Sequence, residues 1–139
     1  MENVSDLESL DTNTLKLLLK DALDQKREVA QGDFLKFVKE VWPDFIEGKH
    51  HKIYAEKLNR IANGELKRLI VNMPPRHTKS EFASNLFPAF YMGRHPKAKL
   101  IQTTHTGELA IRFGRKAKNM IESSEYEKVF PEVTLAADS

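Results

Sequence analysis

The apolar positions of the first sixty residues recur at helical spacing. Leu15, Leu18, Leu19, Ala22 and Leu23 form one stripe within residues 12–30, with Asp11 or Thr12 placed as an N-cap. Gly32-Asp33 interrupts the pattern. Phe34, Phe37, Val38 and Val41 mark a second, shorter helix, which stops at Trp42-Pro43 because the residue before a proline is driven out of the α region. A third helix is predicted over residues 50–62, with Ile53, Leu58 and Ile61 inward and Asn63-Gly64 closing it.

Beyond Gly64 the pattern changes. Leu66 to Met73 is a compact run rich in Leu, Ile and Val, bounded by Gly64 and Pro74-Pro75, and it reads as a buried strand. A helical pattern starts at Lys79-Ser80 and passes through Phe82, Leu86 and Phe90, where Pro88 is expected to kink or shorten it. Gly93 to Pro96 forms a turn, and Ala98 to Thr103 is a second strand candidate. Thr106 can cap a further helix whose inner face is Leu109, Phe113, Ala117, Met120 and Ile121. Strand, loop, helix, strand, helix in this order predicts an α/β fold with parallel strands, right-handed crossovers and flanking helices. Residues 1–49 form a helical region ahead of it.

Composition narrows the chemistry. With 139 residues, 40% hydrophobic and 30% charged, the chain is globular and large enough for one domain. It has no cysteine, which excludes disulfides, thiolate metal sites and cysteine nucleophiles. Met1 to Leu10 is acidic and lacks the apolar core of a secretory leader, and no apolar run reaches membrane-spanning length, so the protein is expected to be neither secreted nor in a membrane. The net charge of +2 is unevenly spread: between Lys67 and Lys118 eleven basic residues stand against two acids, Glu81 and Glu108. Such an excess attracts a polyanion, nucleic acid or nucleotide phosphates, or else makes a solvated basic face.

The stretch Val71 to Glu81 (Val-Asn-Met-Pro-Pro-Arg-His-Thr-Lys-Ser-Glu) lies between the first predicted strand and the helix after it. Phosphate-binding loops work through backbone N–H groups that wrap the phosphates and a helix start that adds positive potential. A lysine reaches the outer phosphates and a hydroxyl holds Mg²⁺. Lys79 and Ser80 stand where that lysine and hydroxyl belong, whereas Met73 and Thr78 occupy the two glycine positions of the common pattern.

This stretch resembles the N-terminal ATPase portion of the large terminase subunits of tailed double-stranded DNA viruses. The resemblance runs from about Phe45 to Pro131. It is carried by His50-His51, Asn63-Gly64-Glu65, Leu69 to His77, Lys79-Ser80-Glu81, Phe87-Pro88-Ala89, Gly93-Arg94-His95-Pro96, Phe113-Gly114 and Phe130-Pro131. It implies a partial P-loop NTPase fold over residues 50–139 and an ATP-driven motor that moves double-stranded viral DNA into a capsid. Family members also carry a metal-dependent nuclease. Partners would be DNA, other terminase subunits in a homo-oligomeric ring, and the portal or capsid, in the host cytoplasm during virion assembly.

Carried onto this sequence, the resemblance makes Pro75, Arg76, His77, Thr78, Lys79, Ser80 and Glu81 the nucleotide-binding loop. Lys79 would contact the β- and γ-phosphates, Ser80 would ligate Mg²⁺, and Arg76 would offset charge on the transferred phosphoryl group. His50 or His51 marks the adenine-contacting element, with at most one of the two in contact. Thr103, Thr104 and His105 would end the second strand at the ligand crevice. Arg112 or Arg115 could reach a neighbouring subunit's nucleotide or belong to a solvated face. Thr78 departs from the family's glycine; a β-branched residue must either adopt a right-handed conformation there or strain the loop.

The apolar strand ending in paired acids, which would anchor Mg²⁺ and activate water, is absent. The chain is therefore expected to stop within the ATPase domain and to be inactive alone. Two other classes compete with this reading: another DNA-directed P-loop ATPase, helicase-like, and a non-enzymatic basic DNA-binding module.

Overall fold

The structure, a computed structural model, describes residues 11–136. Residues 1–10 and 137–139 lie outside the described residues. α1 spans Thr12–Gly32, α2 Phe34–Val41 and α3 Lys49–Ala62. A continuous helical rod follows, made of α4 (Lys79–Glu81), a π-helical turn (Phe82–Leu86) and α5 (Phe87–Arg94). α6 covers Gly107–Ile121 and α7 Ser124–Val129.

The helix starts follow local chemistry. Asp11 accepts from the Thr14 N–H at 2.7 Å and begins α1. Asp33 both ends α1 and caps α2 through the Lys36 N–H at 2.9 Å, while its other oxygen accepts from Asn59 Nδ2 at 2.8 Å. One aspartate thus fixes the α1–α2 corner against α3. Gly64 follows α3 with φ +78, a conformation that glycine adopts without steric penalty. Thr106 and Ser123 cap α6 and α7.

The core is aromatic. Phe34, Phe37, Phe82, Phe90 and Tyr126 are fully buried, and Phe34 meets Phe82 and Phe90 edge-on at 5.3 and 5.4 Å. The predicted inner face of α2 (Phe34, Phe37, Val38, Val41) is buried throughout. Tyr126 donates to the Ala89 carbonyl at 2.9 Å, and burial pushes its phenol far above the usual tyrosine range. α7, which the hydrophobic pattern did not predict, supplies Tyr126 and Val129 to this core. Gly93 lets Phe130 lie against the α5 backbone: a Cβ there would come within 2.6 Å of the ring.

The α/β expectation is overturned. No strand occurs among the described residues, so there is no parallel sheet and the P-loop NTPase fold is not supported. The segments 66–73 and 98–103 cross the surface without a ladder. Leu69, Val71 and Met73 pack on the core, while Ile70 and Ile101 are 88% and 92% exposed. The apolar run that reads as a buried strand is covered on one face only; a strand also needs a hydrogen-bonded neighbour, and a two-stranded pairing is at best marginal in water.

Three smaller expectations also change. The Leu15, Leu18, Leu19 and Leu23 stripe is exposed, and α1 buries only Ala30 near its end. Ile53, expected inward, is 63% exposed; α3 turns His51, Tyr54, Ala55, Leu58 and Ala62 inward instead. Pro88 neither breaks nor ends the helix, because the π turn before it absorbs the mismatch. The Phe87 N–H reaches back to the Phe82 carbonyl, and the Ser84 carbonyl, which Pro88 cannot bond, accepts from Gln102 Nε2 at 3.2 Å.

Candidate functional site

The loop from Met73 to Glu81 forms one wall of an open cleft of about 930 Å³. Val41 and Trp42 at the end of α2, Asn85 and Leu86 in the π turn, and Lys116 and Met120 on α6 complete it. The chain's one tryptophan therefore lies beside the loop that the sequence singles out.

Two left-handed residues shape the loop: Arg76 with φ 63 and Thr78 with φ 59. Of the two alternatives left open for Thr78, the structure takes the strained one, at about 1–2 kcal/mol for an L-residue in this region. A hydrogen-bond relay holds it there. The Gly48 N–H donates to His51 Nδ1 at 2.9 Å. His51 Nε2, 2.6 Å from Thr78 Oγ1, must then carry the ring proton and donate it. Thr78 Oγ1 passes its own proton to the His77 carbonyl at 2.6 Å. This sequence of donors requires a neutral His51. Burial, chiefly, and the neighbouring His50 hold its pKa below the ordinary histidine value, and Glu47 pulls weakly the other way. Glu47 is itself held down to about 2 by its hydrogen bonds to Lys39 and Lys52.

The first backbone bond of the rod runs from the Phe82 N–H to the Thr78 carbonyl at 2.9 Å. The N–H groups of Lys79, Ser80 and Glu81 therefore have no helical acceptor, and the rod's dipole adds positive potential at the same end. Arg76 and Lys79 line the cleft, and neither side chain has a hydrogen-bond or ion-pair partner among the described residues. Pro75, His77 and Ser80 also line it; the His77 ring donates from Nδ1 to the Pro75 carbonyl at 2.9 Å and stiffens the turn. Glu81 is the one acid in the lining, and it is engaged. Lys116 Nζ lies 3.0 and 3.3 Å from its two oxygens, and Asn85 Nδ2 donates to it at 2.7 Å.

The structure thus brings the whole loop from Pro75 to Glu81 into one cleft and leaves the other candidates outside it. The His50 ring meets His51 tilted at 3.8 Å and His77 edge-on at 5.5 Å, outside the cleft lining, and its buried Nε2 has no partner. Thr103, Thr104 and His105 end an irregular segment and do not line the cleft. Arg112 and Arg115 are exposed on α6, with Arg112 over the Phe113 ring at 5.8 Å. No cluster of three His, Asp or Glu able to hold a metal ion occurs among the described residues. Ser80 could therefore give one oxygen to a cation that is otherwise held by phosphate and water.

Sequence reasoning missed Trp42, Asn85 and Lys116, and offered His51 only as one of two alternatives for an adenine contact rather than as a support for the loop. Lys116 left a signal: it stands three residues after Phe113 and four before Met120, at the border of the predicted apolar face of α6. No signal short of three dimensions pairs His51 with Thr78. No family model matches the chain, and no curated protein or solved structure is detectably similar to it. No described helix is long and apolar enough to cross a membrane.

Proposed function

We propose that the cleft binds the phosphates of a nucleoside triphosphate, ATP in the terminase reading. One observation carries this proposal. Arg76 and Lys79, both without partners, flank the free N–H groups of a helix start inside a cleft large enough for a nucleotide. Unpaired cations and unpaired donors converging on one space are what an anion needs. The left-handed Thr78 adds support, since it gives the loop the conformation a glycine would provide at that position. Mg²⁺ would be held by the bound phosphates and the Ser80 hydroxyl, and would screen phosphate charge. Arg76 would neutralise the outer phosphate, and Trp42 offers an aromatic surface in the same cleft.

The role in viral DNA packaging, with double-stranded DNA, sister subunits and portal or capsid as partners in the host cytoplasm, rests on the motif resemblance alone. The exposed Lys67, Arg68 and Lys99 favour a DNA contact in addition to the nucleotide. Trp42 offers the test. Its fluorescence should change saturably on titration with Mg-ATP, and Lys79→Ala should abolish the change. An identical response in both proteins would remove the phosphate reading.

A further inference from the structure

One carboxylate stands among the cations of the cleft, and Lys116 donates to both its oxygens at 3.0 and 3.3 Å. The contact joins Glu81, in the first turn of the rod, to α6. Neither partner is sealed from the cleft: the Lys116 and Glu81 side chains are 45% and 31% exposed, and both belong to its lining. An ion pair this open is held weakly, while a polyphosphate carries several full charges and the lysine stem is flexible enough to turn toward it.

We propose that Lys116 is a ligand-binding residue held in reserve, which a polyphosphate seated on Arg76 and Lys79 draws away from Glu81. The inference rests on the phosphate reading of the cleft and adds a competitor to it. Glu81 repels the ligand and holds back a cation that would bind it, so Glu81 sets the affinity. Asn85 keeps the carboxylate hydrogen-bonded after Lys116 leaves, because its 2.7 Å bond to Glu81 does not involve Lys116. α6 senses occupancy through the same lysine, which couples the cleft to a helix that otherwise touches it only through Met120.

Calorimetric titration of the whole chain with inorganic tripolyphosphate, without divalent cation, tests both levels separately. Loss of binding in Lys79→Ala supports the phosphate reading, and no binding by the parent overturns it together with the inference. The inference itself predicts that Glu81→Gln binds about two- to fivefold tighter and Lys116→Met about fivefold weaker, with Lys116→Arg restored. It also predicts that Glu81→Gln gains less in the Lys116→Met background than in the parent. Binding by the parent that Lys79→Ala loses, with Glu81→Gln and Lys116→Met unchanged or strictly additive, overturns the inference and leaves the reading standing. Should Lys116→Met fail to fold, Glu81→Gln decides alone, since misfolding cannot tighten binding.

Discussion

Replacing Thr78 separates backbone strain from the hydrogen bond that sustains it. Thr78→Val keeps the shape and the left-handed φ of 59 but deletes the hydroxyl that His51 Nε2 meets at 2.6 Å. His51 is only 6% exposed, so its ring N–H is stranded, at about 1–3 kcal/mol for a buried donor without an acceptor. Thr78→Gly loses the same bond, yet glycine relieves about 1–2 kcal/mol of left-handed strain. The added freedom of the unfolded glycine chain gives back about 0.5–1 kcal/mol. The half-exposed site also admits water to His51 once the side chain is gone. The expected order is therefore parent and Thr78→Gly within about 1 kcal/mol of each other, with Thr78→Val about 1–3 kcal/mol less stable than the parent. Urea unfolding followed by circular dichroism, with common m-values, measures this order. A valine variant as stable as the parent, or a glycine variant as damaged as the valine one, would refute the relay.

Gly93→Ala drives a methyl into the Phe130 ring, whose atoms would lie 2.6 Å from it, and should destabilise the fold by about 1–3 kcal/mol in the same assay. The folded pKa of His51 is depressed, so the unfolded chain binds the extra proton. His51's contribution to stability should be complete above the ordinary histidine value of 6.5 and decline as pH falls through it. Imidazole NMR should place the His51 midpoint below 6.5, and a midpoint above it would contradict the neutral relay. Glu47 contributes likewise above 4.5 and loses its contribution as pH falls toward about 2. The chain alone should not turn over ATP, because Glu81, the one acid in the cleft lining, lies in the first turn of the rod and stays hydrogen-bonded to Asn85. Steady phosphate release that Lys79→Ala removes would show that Glu81 or an acid outside the cleft lining is catalytic.

The helices were legible where one face is both apolar and buried. Phe34, Phe37, Val38 and Val41 announce α2 because the face they form is the core. The leucines of α1 announce their helix equally well but not its burial, since nothing in a one-dimensional pattern says whether a partner covers the stripe. The two strand candidates misled for a related reason. The unbroken apolar run Leu69, Ile70 and Val71 reads as buried on both faces, whereas an unpaired segment lying on helices covers Leu69 and Val71 and leaves Ile70 open. α7 was missed because it is short and because its N-cap, Ser123, is followed three residues later by Tyr126 rather than by the glutamate of a capping box. At the site, the local motif from Pro75 to Glu81 was readable, because a phosphate loop is built from consecutive residues. Trp42, His51 and Lys116 were not, since folding alone brings distant parts of the chain to that loop.

Residue-resolved amide NMR during titration with Mg-ATP tests the central claim most directly. The account predicts saturable shifts concentrated at the amides of Arg76 to Glu81 and the Trp42 indole, absent in Lys79→Ala. Shifts that fall elsewhere, or that persist unchanged in Lys79→Ala, would contradict it.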